Sequence, residues 1–214
     1  MKFKLELSFL LCLLLAGTLF VPAARALPTE GALTDWGPTI VPFDYTYDGD
    51  GRQLAGQIEY AVYETYDNNP LTGGAYVYAY QIISSGDSDV SIDSFSVGIL
   101  DDAIVSDIGW EAAVGGEVNP SFAYFSPDAQ DPQSAMYLFL PQPQFAGVIG
   151  IGESSTILLF SSDSRPEEGF GIIEGGSIGG TVEGLPTPLP EPATMVLLGA
   201  GGMLVTLTRK RLSV

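Results

Sequence analysis

The chain has 214 residues, with 26 acidic side chains against 8 basic ones, no histidine and one cysteine, and carries a formal net charge of −18. That composition excludes zinc sites built on imidazole and catalysis by nucleophile–histidine pairs, and the charge repels nucleic acid and anionic lipid. Because 46% of the residues are hydrophobic, the acidity is not a disorder signature, which needs high charge together with low hydrophobicity.

The N-terminus opens with Lys2 and Lys4, runs through a leucine-dominated stretch from Leu7 to Val21, and reaches Ala24-Arg25-Ala26. Cations, a short apolar segment and a small-x-small site, in that order, predict a signal peptide over residues 1–26, cleaved after Ala26 by signal peptidase. Cleavage removes Cys12, the only cysteine, so the mature chain has no disulfide and no thiolate nucleophile. From Leu27 to Pro190 there are 24 carboxylates against Arg52 and Arg165, a side-chain balance of −22, and no lysine.

This exported segment reads as strands. Ile58, Tyr60 and Val62 alternate along Gln57–Tyr63, and Tyr76, Tyr78, Tyr80 and Ile82 alternate along Ala75–Ile82. The turn-forming residues 67–74 between them predict a β-hairpin with a long loop. A second hairpin is expected through Ser84–Asp89 into Val90–Ile99, where the apolar phase shifts and predicts a bulge near Asp93 or Ser94. Short β-branched or aromatic runs follow at Ser121–Phe125, Met136–Leu140, Thr156–Phe160, Phe170–Ile173 and Ser177–Val182. No stretch carries a capped apolar stripe at helical spacing. The expectation is an all-β single β-sandwich domain over residues 27–184, followed by a stiff Pro-rich linker over 185–192.

Three kinds of constellation in the domain admit chemistry. Asp48-Gly49-Asp50-Gly51 lacks both anchoring carboxylates of an EF-hand, with Thr46 and Gln57 in those positions. It reads first as an Asp-Gly turn, with a looser Ca2+ site using Asp48, Asp50 and Asp44 as the alternative. Asp87 with Asp89, and Asp101 with Asp102, admit the same two readings. The tyrosines at 76, 78 and 80 read as half of a core, with a solvent-facing sugar platform as the alternative. Paired carboxylates could support glycoside hydrolysis, but no pair stands out among the 24. Gly147–Gly152 reverses the dinucleotide fingerprint, has no following helix, and reads as a turn or strand kink.

The C-terminus has three parts. Pro190-Glu191-Pro192 precedes 16 uncharged residues, 193–208, and then Arg209-Lys210-Arg211. As a helix those 16 residues would span ~24 Å, short of the ~30 Å hydrocarbon core, which makes a marginal transmembrane helix. The cations resist translocation and predict a stop-transfer signal, with 209–214 as a basic cytoplasmic tail. This order of parts resembles the PEP-CTERM sorting signal of Gram-negative and related bacteria. Residues 75–99, Asp107–Trp110 and 174–192 are similar, more weakly, to the exported β domains that accompany that tail. The resemblance implies processing by exosortase near Pro190-Glu191-Pro192, in a cell that makes exopolysaccharide and grows as biofilm. It implies no active site.

Together these readings predict an exported cell-surface or extracellular-matrix protein, with a structural or binding role and no enzymatic activity. It would be held transiently or permanently in the inner membrane by its tail, with exopolysaccharide as a candidate partner. The alternatives are a surface carbohydrate-active enzyme using paired carboxylates and a calcium-dependent adhesion module.

Overall fold

The computed structural model describes residues 27–28, 31–67, 69–100, 103–127, 132–141 and 143–189. Ala24 and Ala26, Asp101 and Asp102, the Pro190-Glu191-Pro192 motif, the apolar stretch 193–208 and Arg209-Lys210-Arg211 lie outside the described residues. Those described are all β: β1 (Ala32–Leu33), β2 (Thr39–Thr46), β3 (Gln53–Thr65), β4 (Tyr76–Ser84), β5 (Ser94–Gly98), β6 (Val105–Trp110), β7 (Phe122–Pro127), β8 (Pro132–Leu138), β9 (Leu158–Ser162), β10 (Arg165–Gly175) and β11 (Ile178–Leu189). Among them no helix is long and apolar enough to cross a membrane.

The strands form two antiparallel sheets. Sheet one runs β1-β3-β4-β9-β6, with β2 also paired to β3, and sheet two runs β11-β10-β5-β8-β7. One core fills the space between them in a sandwich-like arrangement. Ile58, Tyr60, Val62, Tyr78, Tyr80 and Phe160 enter it from sheet one, and Phe95, Val97, Tyr137, Ile173 and Val182 from sheet two. The alternation read in β3 and β4 therefore holds, and the two strands pair as the expected hairpin, with Tyr60 opposite Tyr80. Tyr78 stacks on Phe160 at 4.6 Å between ring centroids. Such pairs contribute about 0.5–1.5 kcal/mol beyond the area they bury.

Two expectations need correction. The segment after β4 is not a second hairpin: β4 belongs to sheet one and β5 to sheet two, so residues 85–93 carry the chain from one sheet to the other. The phase shift near Asp93 has the same cause. Ile92 bridges Ile149, while Ser94–Gly98 pairs with β8 and β10, so the strand changes partners at Asp93 instead of bulging within one ladder.

Residues 185–189, expected as the start of a linker, instead belong to β11 and pair with β10 from Arg165 opposite Leu189 to Gly169 opposite Leu185. Leu185 and Thr187 are buried. A proline-spaced stretch and an edge strand share extended backbone and tolerate missing N–H groups, so the sequence reads alike for both. Sheet two ends at β11, and that edge position accommodates Pro186 and Pro188.

Sequence reasoning passed over β2 and assigned no strand to Val105–Trp110. Pro42 reads as a strand breaker, yet it sits opposite Gln57 in a strand at the margin of sheet one. The β10–β11 turn is a two-residue connection with positive φ at both Gly176 (52°) and Ser177 (71°), the handedness that matches the twist of a tight hairpin.

Candidate functional site

The two sheets differ in what covers their outer faces. On sheet one, Ala61, Tyr63, Val77, Ala79 and Leu159 form a second apolar cluster with Leu27 and Tyr66, and Leu71 packs against it. The β3–β4 loop is tied down over this face. Thr72 donates from its backbone N–H and its hydroxyl to Asp107 Oδ2 at 2.9 and 3.0 Å, and these bonds, the backbone one first, hold the Asp107 carboxyl below its ordinary pKa. Gly109 has Leu71 close above it, where a Cβ would stand 3.2 Å from the leucine methyl.

The outer face of sheet two has no such cover among the described residues. Phe122 (47% exposed), Tyr124 (40%), Phe170 (44%) and Ile172 (39%) stand on it, and Phe145 reaches over its β7 end. Strand register places these side chains in rows. One row reads Ile172, Ser96, Met136, Tyr124 across β10, β5, β8 and β7. The next reads Glu174, Ser94, Leu138, Phe122, and the Phe122 and Phe145 rings lie 5.7 Å apart. Ser94, Ser96 and Gly98 on the middle strand are small, and the Phe170 ring lies against Gly98, where a Cβ would stand 3.5 Å from its Cζ.

Carboxylates border this surface. Glu183 on β11 is opposite Phe170, and Glu174 accepts a 3.0 Å hydrogen bond from the Ser94 hydroxyl. Scattered apolar side chains on a surface carry no message, but several large ones from β10, β8 and β7 on one sheet face make this surface the candidate interaction site. Sequence reading missed the site because the short apolar run Phe170–Ile173 does not show which of its side chains meets the core and which meets solvent. In the structure Tyr78 and Tyr80 are fully buried and Tyr76 packs against the core, so the sugar-platform reading of that stripe is withdrawn.

The Asp-Gly stretch after β2 folds as a turn. Tyr47 N–H donates to the Arg52 carbonyl at 2.8 Å, Gly51 N–H donates to the Tyr47 carbonyl at 2.9 Å, and Gly51 has φ +74°. Asp50 accepts from the Arg52 backbone N–H and side-chain Nε, which hold its carboxyl below the ordinary pKa. Asp44 accepts from Gln53 Nε2 at 2.8 Å and, with Asp87, borders an open cleft over Phe43, Gly56 and Ile83. Among the described residues no three carboxylates are grouped so as to hold a metal ion. Asp48, Asp50 and Asp44 are thus not brought to one point.

Asp89 is used structurally, accepting from Gln53 N–H at 2.9 Å. Asp93 and Glu174 share a shallow cleft at the β10–β11 turn. Each is engaged locally, Asp93 by Gly176 N–H at 3.0 Å and Glu174 by Ser94. Gly147–Gly152 forms a bridge and a turn, closed by Glu153 N–H donating to the Gly150 carbonyl.

No protein-family model, curated protein or solved structure matches this chain. The site is therefore read from its own geometry.

Proposed function

We propose that this is an exported cell-surface or extracellular-matrix protein, delivered by exosortase-type processing of its tail, whose all-β domain binds polysaccharide in the envelope or biofilm. The routing rests on the sequence alone: the signal peptide ending at Ala26, and Pro190-Glu191-Pro192, the apolar stretch and Arg209-Lys210-Arg211 in order. The binding role rests on the exposed rows of sheet two.

The chemistry of that surface suits a sugar chain. Aromatic rings stack on the C–H faces of pyranose rings, and nearby carboxylates accept hydrogen bonds from hydroxyls. An acidic domain with few cations is a poor host for anionic polymers, so the preferred ligand is a neutral or cationic polysaccharide. In this reading the tail holds the chain in the inner membrane until it is handed to the sorting enzyme.

Mass mapping of the protein's ends after cell fractionation tests the routing. A new C-terminus near Pro192 is expected, and an intact Arg209-Lys210-Arg211 end on the mature membrane protein would overturn it. Binding is tested by co-sedimentation with the producing cell's exopolysaccharide. The double variant Tyr124→Ser, Phe170→Ser should lose binding while keeping its melting temperature. Binding unchanged by those substitutions would overturn the site. Shortening of the polysaccharide would turn the assignment toward a hydrolase, and loss of binding on chelation toward a calcium-dependent adhesin.

A further inference from the structure

Leu27 is buried to 2% exposure and packs on the outer face of sheet one with Ala61, Tyr63, Val77, Ala79 and Leu159. The next residue is pinned as well: the Tyr63 hydroxyl donates to the Pro28 carbonyl at 2.5 Å. The Leu27 backbone N–H reaches the carboxylate of Glu59, a half-buried side chain on β3 opposite Gln81 of β4.

Glu59 is placed unfavourably for an anion. Loss of solvent raises its pKa, and the single amide from Leu27 only partly offsets that. Cations are scarce: between residues 27 and 189 the only ones are Arg52 and Arg165, and the ion pair formed among the described residues joins Arg52 to Asp50. A half-buried carboxylate thus faces the nitrogen of Leu27, which is the residue that follows the small-x-small site Ala24-Arg25-Ala26.

We propose that signal cleavage turns the Leu27 nitrogen into an α-ammonium that docks on Glu59, with the leucine side chain seated in its apolar socket, so that export completes the domain's electrostatics. This rests on the reading that cleavage follows Ala26. Water adds across the Ala26–Leu27 peptide bond: hydroxide goes to the Ala26 carbonyl carbon, and the C–N bond breaks with hydrogen passing to Leu27 nitrogen. The proton lost by the new Ala26 carboxyl balances the one taken up by the amine, which is ammonium at neutral pH because such groups titrate near ~7.7–8.0.

The nitrogen that gave one hydrogen bond from an uncharged amide then offers three donors and a positive charge, so the contact with the carboxylate becomes an ion pair. No rearrangement is required, since the Leu27 side chain and the Pro28 carbonyl already fix the position. A chain that keeps any residue before Leu27 retains the amide and lacks the charge there. The socket thereby distinguishes processed from unprocessed protein.

The test uses protein exported from the full-length gene and purified after secretion. Mass spectrometry of its first peptide comes first; a start other than Leu27 refutes the cleavage reading and the docking with it. With a Leu27 start established, the α-amine is acylated with a limiting amine-reactive ester, in folded and in urea-unfolded protein. Lys210 is the only lysine after Leu27, so the two amines are separable by peptide.

A docked ammonium should react at least ~10-fold more slowly in the folded protein, the equivalent of about 1.4 kcal/mol of protection. In Glu59→Gln that protection should largely disappear. Equal rates in folded and unfolded wild type refute the docking, as does undiminished protection in a folded Glu59→Gln. Should Glu59→Gln not fold, a serine inserted between Ala26 and Leu27 gives a mature chain one residue longer. That chain should melt lower and react faster at its α-amine, and identical melting and rates would again refute the proposal.

Discussion

The Tyr80 hydroxyl on β4 donates a 2.5 Å hydrogen bond to the Pro186 carbonyl on β11, joining the two sheets through the core. Its neighbour two residues earlier does the same at the sheet corner, where Tyr78 donates to the Ser164 carbonyl at 2.9 Å. Large rings on one sheet thus reach main-chain acceptors beyond it, and the buried Tyr78 and Tyr80 phenols have their polar ends satisfied. The arrangement fixes the proline-spaced end of β11 to the body of the domain.

Tyr80→Phe keeps the ring and removes that bond, leaving the Pro186 carbonyl without its phenol donor. The expected loss is about 1–2 kcal/mol, read as a lower denaturation midpoint at unchanged m-value. Tyr124→Phe, on the exposed face, should stay within about 0.5 kcal/mol of wild type.

β11 runs to Leu189, so the proline-spaced residues 185–189 belong to the folded domain. A chain that starts at Leu27 and ends at Leu189 should melt with the same midpoint as one that ends at Pro192. One that ends at Gly184 loses Leu185 and Thr187, both buried, along with five residues of the β10–β11 ladder. It should be destabilised by at least about 3 kcal/mol, since burying one leucine contributes about 1.5–3 kcal/mol before cavity costs are added. Circular dichroism melts of the three chains decide it.

Alkaline pH should unfold the protein. Burial raises the pKa of the Tyr63, Tyr78, Tyr80 and Tyr137 phenols, so the folded state holds these protons more tightly than the unfolded state does. The stability they contribute is complete below the unfolded value near ~10 and is lost as pH rises from there through the higher folded values. Stability should change little on their account between pH 7 and about 9, then fall steeply above about 10. Tyrosinate absorbance should appear in the same step as unfolding, not ahead of it.

Ser177 occupies a left-handed conformation at φ 71°, in a hairpin that needs positive φ at both central positions. Asparagine tolerates that region and serine does so less well. Ser177→Asn should therefore raise stability by roughly 0.5 kcal/mol, while Ser177→Val should lower it by about 1 kcal/mol or more. Paired denaturation curves measure both.

What the sequence settled by itself was local. Alternation in Gln57–Tyr63 and Ala75–Ile82 assigned the β3–β4 hairpin and its inward face, because side chains on a pleated strand alternate whatever surrounds it. Asp48–Gly51 was legible as a turn because Asp and Gly favour turns through their own backbone chemistry, and the composition excluded histidine chemistry without any fold. Tertiary structure decided what depends on neighbours. Residues 85–93 change sheets instead of turning back, and Pro186 and Pro188 complete an edge strand. The tyrosines face the core, while Phe170 and Ile172, in an equally apolar run, face solvent. Extended backbone and alternating apolar residues look the same in a linker, an edge strand, a core face and a binding face; only the packing partners, which are distant in sequence, tell these apart.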